Sequence, residues 1–136
     1  MPHFIDTNIF LYTISDNLNE IGKRNRAISI VEQDGGAISA QVLQEFYTQA
    51  TRSNREGALS HALAVELMRT WARFKIQDIT AALVMSAVET KFRYRLSYWD
   101  SAIVAAARAL HCDVLYSEDM QHGQVIDGVT ITNPFL

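Results

Sequence analysis

The sequence predicts one α/β domain over residues 1–136: a mostly parallel sheet of about four or five short strands, flanked by helices. Three observations predict it. Short apolar runs (Phe4-Ile5, Ala37-Ile38-Ser39, Val114-Leu115-Tyr116 and Val129-Thr130-Ile131) have the length and β-branched or aromatic content of buried strands. Longer stretches between them repeat apolar residues at helical spacing, and strands alternating with helices build parallel sheets covered on both faces. No repeat, low-complexity segment or Pro/Gly-rich linker divides the chain, whose 136 residues suit one core.

Taken in order, Phe4 and Ile5 form the first strand, and Thr7 and Asn8 are residues that open helices. A short helix over Asn8 to Ile14 is broken by Ser15-Asp16-Asn17. A second, from about Glu20 to Glu32, places Ile21, Ile28 and Val31 inward and exposes Arg24 and Arg26, and Gly35 and Gly36 end it. Ala37-Ile38-Ser39 is a buried strand whose Ser39 caps the next helix, with Val42, Leu43, Phe46 and Ala50 as its apolar stripe. Ser53 to Gly57 is a polar break. The helix after Ser60 carries Leu63, Leu67, Met68 and Trp71 on one side, and Phe74 to Gln77 reads as a strand or a connector. Thr80 begins a helix with Leu83, Val84, Ala87, Val88 and Phe92 inside. The stretch Lys91 to Trp99 interleaves cations with aromatics, of which Phe92 and Trp99 are expected in the core. A helix from Asp100 buries Ile103, Ala106, Ala107 and Leu110, and two strands then flank the polar turn Ser117 to Gly128.

Composition narrows the function. The residues are 49% hydrophobic and 20% charged, as in soluble globular domains. No apolar run approaches the roughly 20 residues that cross a bilayer, and no signal peptide is visible, so a cytosolic protein away from membranes is expected. Cys112 is the single cysteine, which excludes an internal disulfide and a cysteine-rich zinc site and suits a small core residue. A net charge of −3 argues mildly against a nucleic-acid partner. Two divalent cations would turn −3 into +1, so the charge leaves that class open.

In open α/β sheets, functional groups collect beyond the carboxyl ends of the strands. Asp6 follows the first strand, Glu118 and Asp119 follow Val114-Leu115-Tyr116-Ser117, Glu45 lies in the helix after Ser39, and Asp100 opens the helix after the basic-aromatic stretch. Singly, Asp6 reads equally as a helix cap, Asp100 as a complement to a helix dipole, and Asp119 as a turn cap. Glu45 resists that reading because Leu43 and Phe46 beside it face inward. Carboxylates gathered together repel one another, and a proton or a cation must relieve the repulsion. Oxygen ligation without cysteine suits Mg²⁺ or Mn²⁺, and such ions serve phosphoester chemistry.

The segments Phe4-Ile5-Asp6-Thr7-Asn8, Glu45-Phe46, Tyr98-Trp99-Asp100-Ser101-Ala102 and Leu115-Tyr116-Ser117-Glu118-Asp119 resemble PIN-domain ribonucleases, most closely the VapC toxins of bacterial toxin–antitoxin pairs. The resemblance spans the chain, including Gln121-His122-Gly123-Gln124 and Asn133-Pro134-Phe135. It implies a PIN-like three-layer sandwich and an endoribonuclease. Asp6 and Asp100 would be the main Mg²⁺ ligands (Mn²⁺ being possible), with Glu45 and Asp119 at a second ion or acting through water. Asn8 and Ser117 would support the carboxylates, and a water activated by the metal would attack an RNA phosphodiester, leaving a 5′ phosphate and a 3′ hydroxyl. Either Glu118 or Asp119 could reach a metal, and Asp119 is preferred because the family pattern places its last acid two residues after a Ser or Thr. Implied partners are a VapB-like antitoxin and a second copy of the chain.

Lys91, Arg93 and Arg95 could neutralise RNA phosphates, and Tyr94 or Tyr98 could stack on an unpaired base, although solvated arginines are commonplace. His3, His61, His111 and His122 show no ligand spacing, and only His122 falls near the acids. A phosphatase of the haloacid dehalogenase type would want a second acid where Asn8 stands. A housekeeping RNA-processing PIN nuclease would share the same residues, and a catalytically silent binding domain would have lost an acid, whereas all are present.

Overall fold

The computed structural model describes residues 2–136. Strands β1 (His3–Ile5), β2 (Gly36–Ser39), β3 (Lys75–Gln77), β4 (Val114–Tyr116), β5 (Val125–Ile126) and β6 (Val129–Thr132) form one sheet, in the order β3-β2-β1-β4-β6-β5. All neighbouring pairs run parallel except β5 with β6. The chain departs from β1 to one side through β2 and β3 and later returns to the other through β4, so the strand order reverses between β1 and β4. Crevices form at such a reversal, beyond the carboxyl ends of the strands.

Six helices accompany the sheet among the described residues: α1 (Thr7–Thr13), α2 (Ile21–Glu32), α3 (Ala40–Ala50), α4 (His61–Thr70), α5 (Ala81–Tyr94) and α6 (Tyr98–Ala109). Their starts are set locally, because Ser39, Ser60, Thr80 and Ser97 each accept a hydrogen bond from a backbone N–H of the first turn. The centre is apolar and closed. Phe4, Ile5, Ile38, Leu115 and Ile131 of the strands meet Ile9, Phe10, Val42, Phe46 and Val104 of the helices, all without solvent contact. Trp71 lies 4.4 Å from Phe10 and 4.6 Å from Phe46 between ring centroids, and so binds α1, α3 and the end of α4 together. Glycine suits the first residue of β2, since a Cβ at position 36 would stand 2.7 Å from the Phe74 ring.

Phe74 to Gln77 contains a strand, β3, paired with β2. The sheet holds six strands instead of four or five, because the expected polar turn includes the two-residue β5, which folds back antiparallel on β6. α6 begins at Tyr98, not Asp100: Ser97 accepts from the Asp100 N–H at 3.1 Å, which puts Asp100 inside the first turn. Arg95, in the left-handed conformation (φ 57°), ends α5 so that α6 follows after three residues. Two aromatics expected in the core are outside it, Phe92 with 84% of its surface exposed and Trp99 with 64%. Val88, Ile21 and Leu63 are exposed as well. Helical spacing finds an apolar face but does not say what that face meets. Here α5 buries Leu83, Ala87 and Thr90 against α6 and leaves Met85, Val88 and Phe92 uncovered.

Candidate active site

Asp6 follows β1 at the reversal point. Its N–H donates to the Tyr116 carbonyl at 3.0 Å, extending the β1–β4 pairing by one residue. Its side chain caps α1: Oδ1 accepts from the Thr7 N–H at 2.7 Å, and Oδ2 accepts from the Ser117 hydroxyl at 2.8 Å and the Asn8 amide at 3.3 Å. The carboxyl is buried, and this desolvation raises its pKa from 3.8 to about 7. The hydrogen bonds from Ser117 and Thr7 oppose the rise, and the charges of Glu45 and Asp119 add to it.

The other acids arrive from three directions. Glu45 extends from α3, where its Oε1 accepts from the Thr7 hydroxyl at 3.1 Å and the Gln41 amide at 3.4 Å. Asp100 projects from the first turn of α6. Burial holds its carboxyl above the ordinary value against the pull of Ser97, and the Asp119 charge adds to the rise. Asp119 follows β4, its N–H donating to the Ser117 hydroxyl at 3.2 Å and its Oδ2 accepting from the Asn8 amide at 3.2 Å. All four acids line one cleft of about 80 Å³, with Thr7, Asn8, Leu11, Gln41, Gln49, Trp99 and Ile103. A larger depression of about 630 Å³, around Gln33, Gly35, Arg73 and Lys75, contains none of them.

Asn8 and Ser117 tie the ends of β1 and β4 together. The Asn8 amide is shared between Asp6, Asp119 and the Ser117 hydroxyl, while its carbonyl oxygen accepts from the Glu118 N–H at 3.1 Å. Glu118 turns away from the cleft to the Lys23 ammonium and the Tyr12 hydroxyl. Burial alone would raise Glu118, but these two partners outweigh it and hold the carboxyl below its ordinary value. Adjacent acids thus have separate surroundings, and Asp119 is the one that lines the cleft.

Arg93 and Arg95 lie outside the cleft. The Arg93 guanidinium faces Glu89 and Asp127, 3.6 and 3.7 Å away, in a separate hollow with Ser86, Thr90 and Arg108. Arg95 is exposed at the end of α5. The His122 ring accepts from the Asn133 N–H at 2.9 Å and so anchors the segment after β6. Two cleft residues escaped the sequence reading, Thr7 as a partner of Glu45 and Gln41 as a link between helices. The buried Gln41 amide donates to Glu45 and to the Trp99 carbonyl at 3.3 Å, joining the helix of one acid to the helix of another. Its position one turn before Glu45 was the available signal.

The donor set suits a hard divalent cation. Four carboxylates converge without cysteine or histidine, one of them buried at a raised pKa that an adjacent cation would reverse. Among the described residues, no group of three or more His, Cys, Asp or Glu side chains could hold an ion as they stand.

A buried acid at the end of β1 is thus supported from β4 and shares its cleft with acids from two helices. The model of the PIN domain matches residues 3–126, and the chain belongs to that family. No curated protein matches the chain in sequence. Among solved structures, the fold is shared with the "Toxin-antitoxin complex from Klebsiella pneumoniae", at a TM-score of 0.72 and 19% identity over 97% of both chains. It is shared also with VapBC2 from Rickettsia felis, bound to a DNA fragment from its promoter (TM-score 0.66, 20% identity, 96% of this chain and 97% of that one). A third is VapC20 from Mycobacterium tuberculosis, a sarcin-ricin loop cleaving toxin (TM-score 0.66, 21% identity, 86% and 89%).

Proposed function

We propose that the chain is a metal-dependent endoribonuclease acting as the toxin of a toxin–antitoxin pair. The observation that carries this reading is the single cleft that Asp6, buried behind β1, shares with Glu45, Asp100 and Asp119. Asp6 and Asp100 are the principal ligands for Mg²⁺ or Mn²⁺, with Glu45 and Asp119 holding a second ion or its waters. A bound divalent cation supplies an activated water and offsets charge on the phosphodiester. The chain orients these acids. Ser117 and Asn8 fix the Asp6 carboxylate and hold Asp119 beside it, while Thr7 and Gln41 both donate to Oε1 of Glu45. Membership of the PIN family supports hydrolysis of RNA, and the fold shared with toxin–antitoxin structures supports the toxin role.

Two partners belong to this reading. A VapB-like antitoxin lays a segment across the cleft, where a basic side chain meets the carboxylates. A second copy of the chain covers Leu63, Met85, Val88 and Phe92, apolar residues that the fold leaves in water. Arg95 is exposed and available to RNA phosphates outside the cleft, whereas Arg93 must share itself with Glu89 and Asp127. Among the described residues, no helix is long and apolar enough to cross a membrane.

The decisive experiment is mapping of 5′ ends in cellular RNA after brief expression, with Asp6→Asn and Asp100→Asn as controls. New 5′-phosphate ends are expected with the unaltered chain alone, together with growth arrest in the absence of the antitoxin. Identical ends from the variants, or undiminished cleavage of purified RNA under chelator, would overturn the proposal.

A further inference from the structure

Beside the acid cleft, and sharing Asn8, Leu11, Gln49 and Asp119 with it, lies a groove of about 310 Å³ walled by Tyr12, Glu20, Arg55 and Glu118. The cleft itself is lined by four acids and by no lysine or arginine. A bound metal would neutralise the phosphate being cut, but the next phosphate along the strand needs a cation of its own. The groove supplies one. Among the described residues, Arg55 is half-buried and enters no side-chain hydrogen bond or ion pair, even with Glu20 and Glu118 on the same walls. Those two acids are otherwise engaged, Glu118 by Lys23 and Tyr12, and Glu20 by the Ser15 hydroxyl at 2.6 Å.

The loop carrying Arg55 is built to stay in place. It is closed by the Leu59 N–H on the Ala50 carbonyl at 2.8 Å, and inside it the Arg55 N–H donates to the Arg52 carbonyl at 3.0 Å. It sits against the segment after α1 at Gly57, where φ is +71° and a Cβ would stand 2.9 Å from the Asp16 carboxylate oxygens, so a side chain there is disfavoured. A half-buried guanidinium that no carboxylate bonds is available to an anion, and its planar fork suits a phosphodiester.

We propose that this groove is the track for the strand next to the cut, with Arg55 holding the neighbouring phosphodiester of single-stranded RNA. The inference rests on the nuclease reading and adds a substrate-binding residue outside the acids. It is tested in the cleavage-silent Asp6→Asn protein, by measuring affinity for an unstructured RNA oligonucleotide across salt concentrations. Arg55→Ala is expected to weaken binding alike for all sequences and to flatten the slope of log affinity against log salt by about 0.7, the contribution of one single-strand phosphate. Arg55→Lys should restore the slope, Arg69→Ala on the outside of α4 should leave it alone, and melting curves should match throughout. An Arg55→Ala slope equal to that of its parent overturns the groove but leaves the nuclease standing. The same result is expected if the groove takes an acidic protein segment instead of RNA. A parent without salt-dependent RNA binding overturns both.

Discussion

Removing the charge of Asp6 should stabilise the metal-free protein, by an amount that grows with pH. The folded state holds the Asp6 proton up to about 7, the unfolded chain only to 3.8. Between these values the native protein binds more protons than the unfolded one, so stability falls as pH rises and the loss is complete above about 7. At about 1.4 kcal/mol per pH unit, ionising Asp6 in its buried position costs on the order of 4 kcal/mol, an upper figure because water can enter the cleft. Asp6→Asn lacks this cost and keeps a residue able to cap α1. Against that gain stands its new amide, which meets the Asn8 amide where Oδ2 now accepts. Urea unfolding of both proteins at pH 5, 6, 7 and 8 with chelator measures the difference. The variant should gain by a few kcal/mol from pH 5 to pH 8, and saturating Mg²⁺ should narrow or invert the gap by stabilising only the parent. Parallel stabilities over the pH range would refute the argument that Asp6 is a desolvated carboxyl awaiting a cation.

Gln41→Ala should lower Mg²⁺ affinity, read by calorimetry, by about 10- to 100-fold with the fold intact, since it frees Glu45 from the start of α6. Phe46→Ala should cost about 3–5 kcal/mol in urea unfolding, because a fully buried ring packed on Trp71 leaves a cavity. Phe92→Ser should change monomer stability by no more than about 0.5 kcal/mol. In sedimentation, however, it should weaken any dimer that covers α5, and a dimer unaffected by it would move the subunit contact elsewhere.

How far the sequence can be read depends on how locally each feature is determined. Asp6, Asp100 and Asp119 were legible because each follows a strand or falls in the first turn of a helix, and the fold class fixes where such positions gather. The choice of Asp119 over Glu118 as the acid of the cleft matches the geometry, but its physical cause, Lys23 one helix away, is visible only in the folded chain. The exposure of Phe92 and Trp99 was hidden for a related reason. Their spacing is that of a buried stripe, and burial depends on a partner surface that the sequence does not display. β5 is two residues long and has no period to detect, and Arg55 lies in a polar break whose sequence carries no pattern.

The pairing of β1 with β4 has a consequence for how the acids stay together. Asp6 is supported by Ser117 and Asn8 reaches Asp119, bonds that join residues 111 apart in the chain. The four-acid cleft therefore exists only while β4 is docked beside β1, and any fluctuation that parts these two strands disperses the carboxylates and relieves their mutual repulsion.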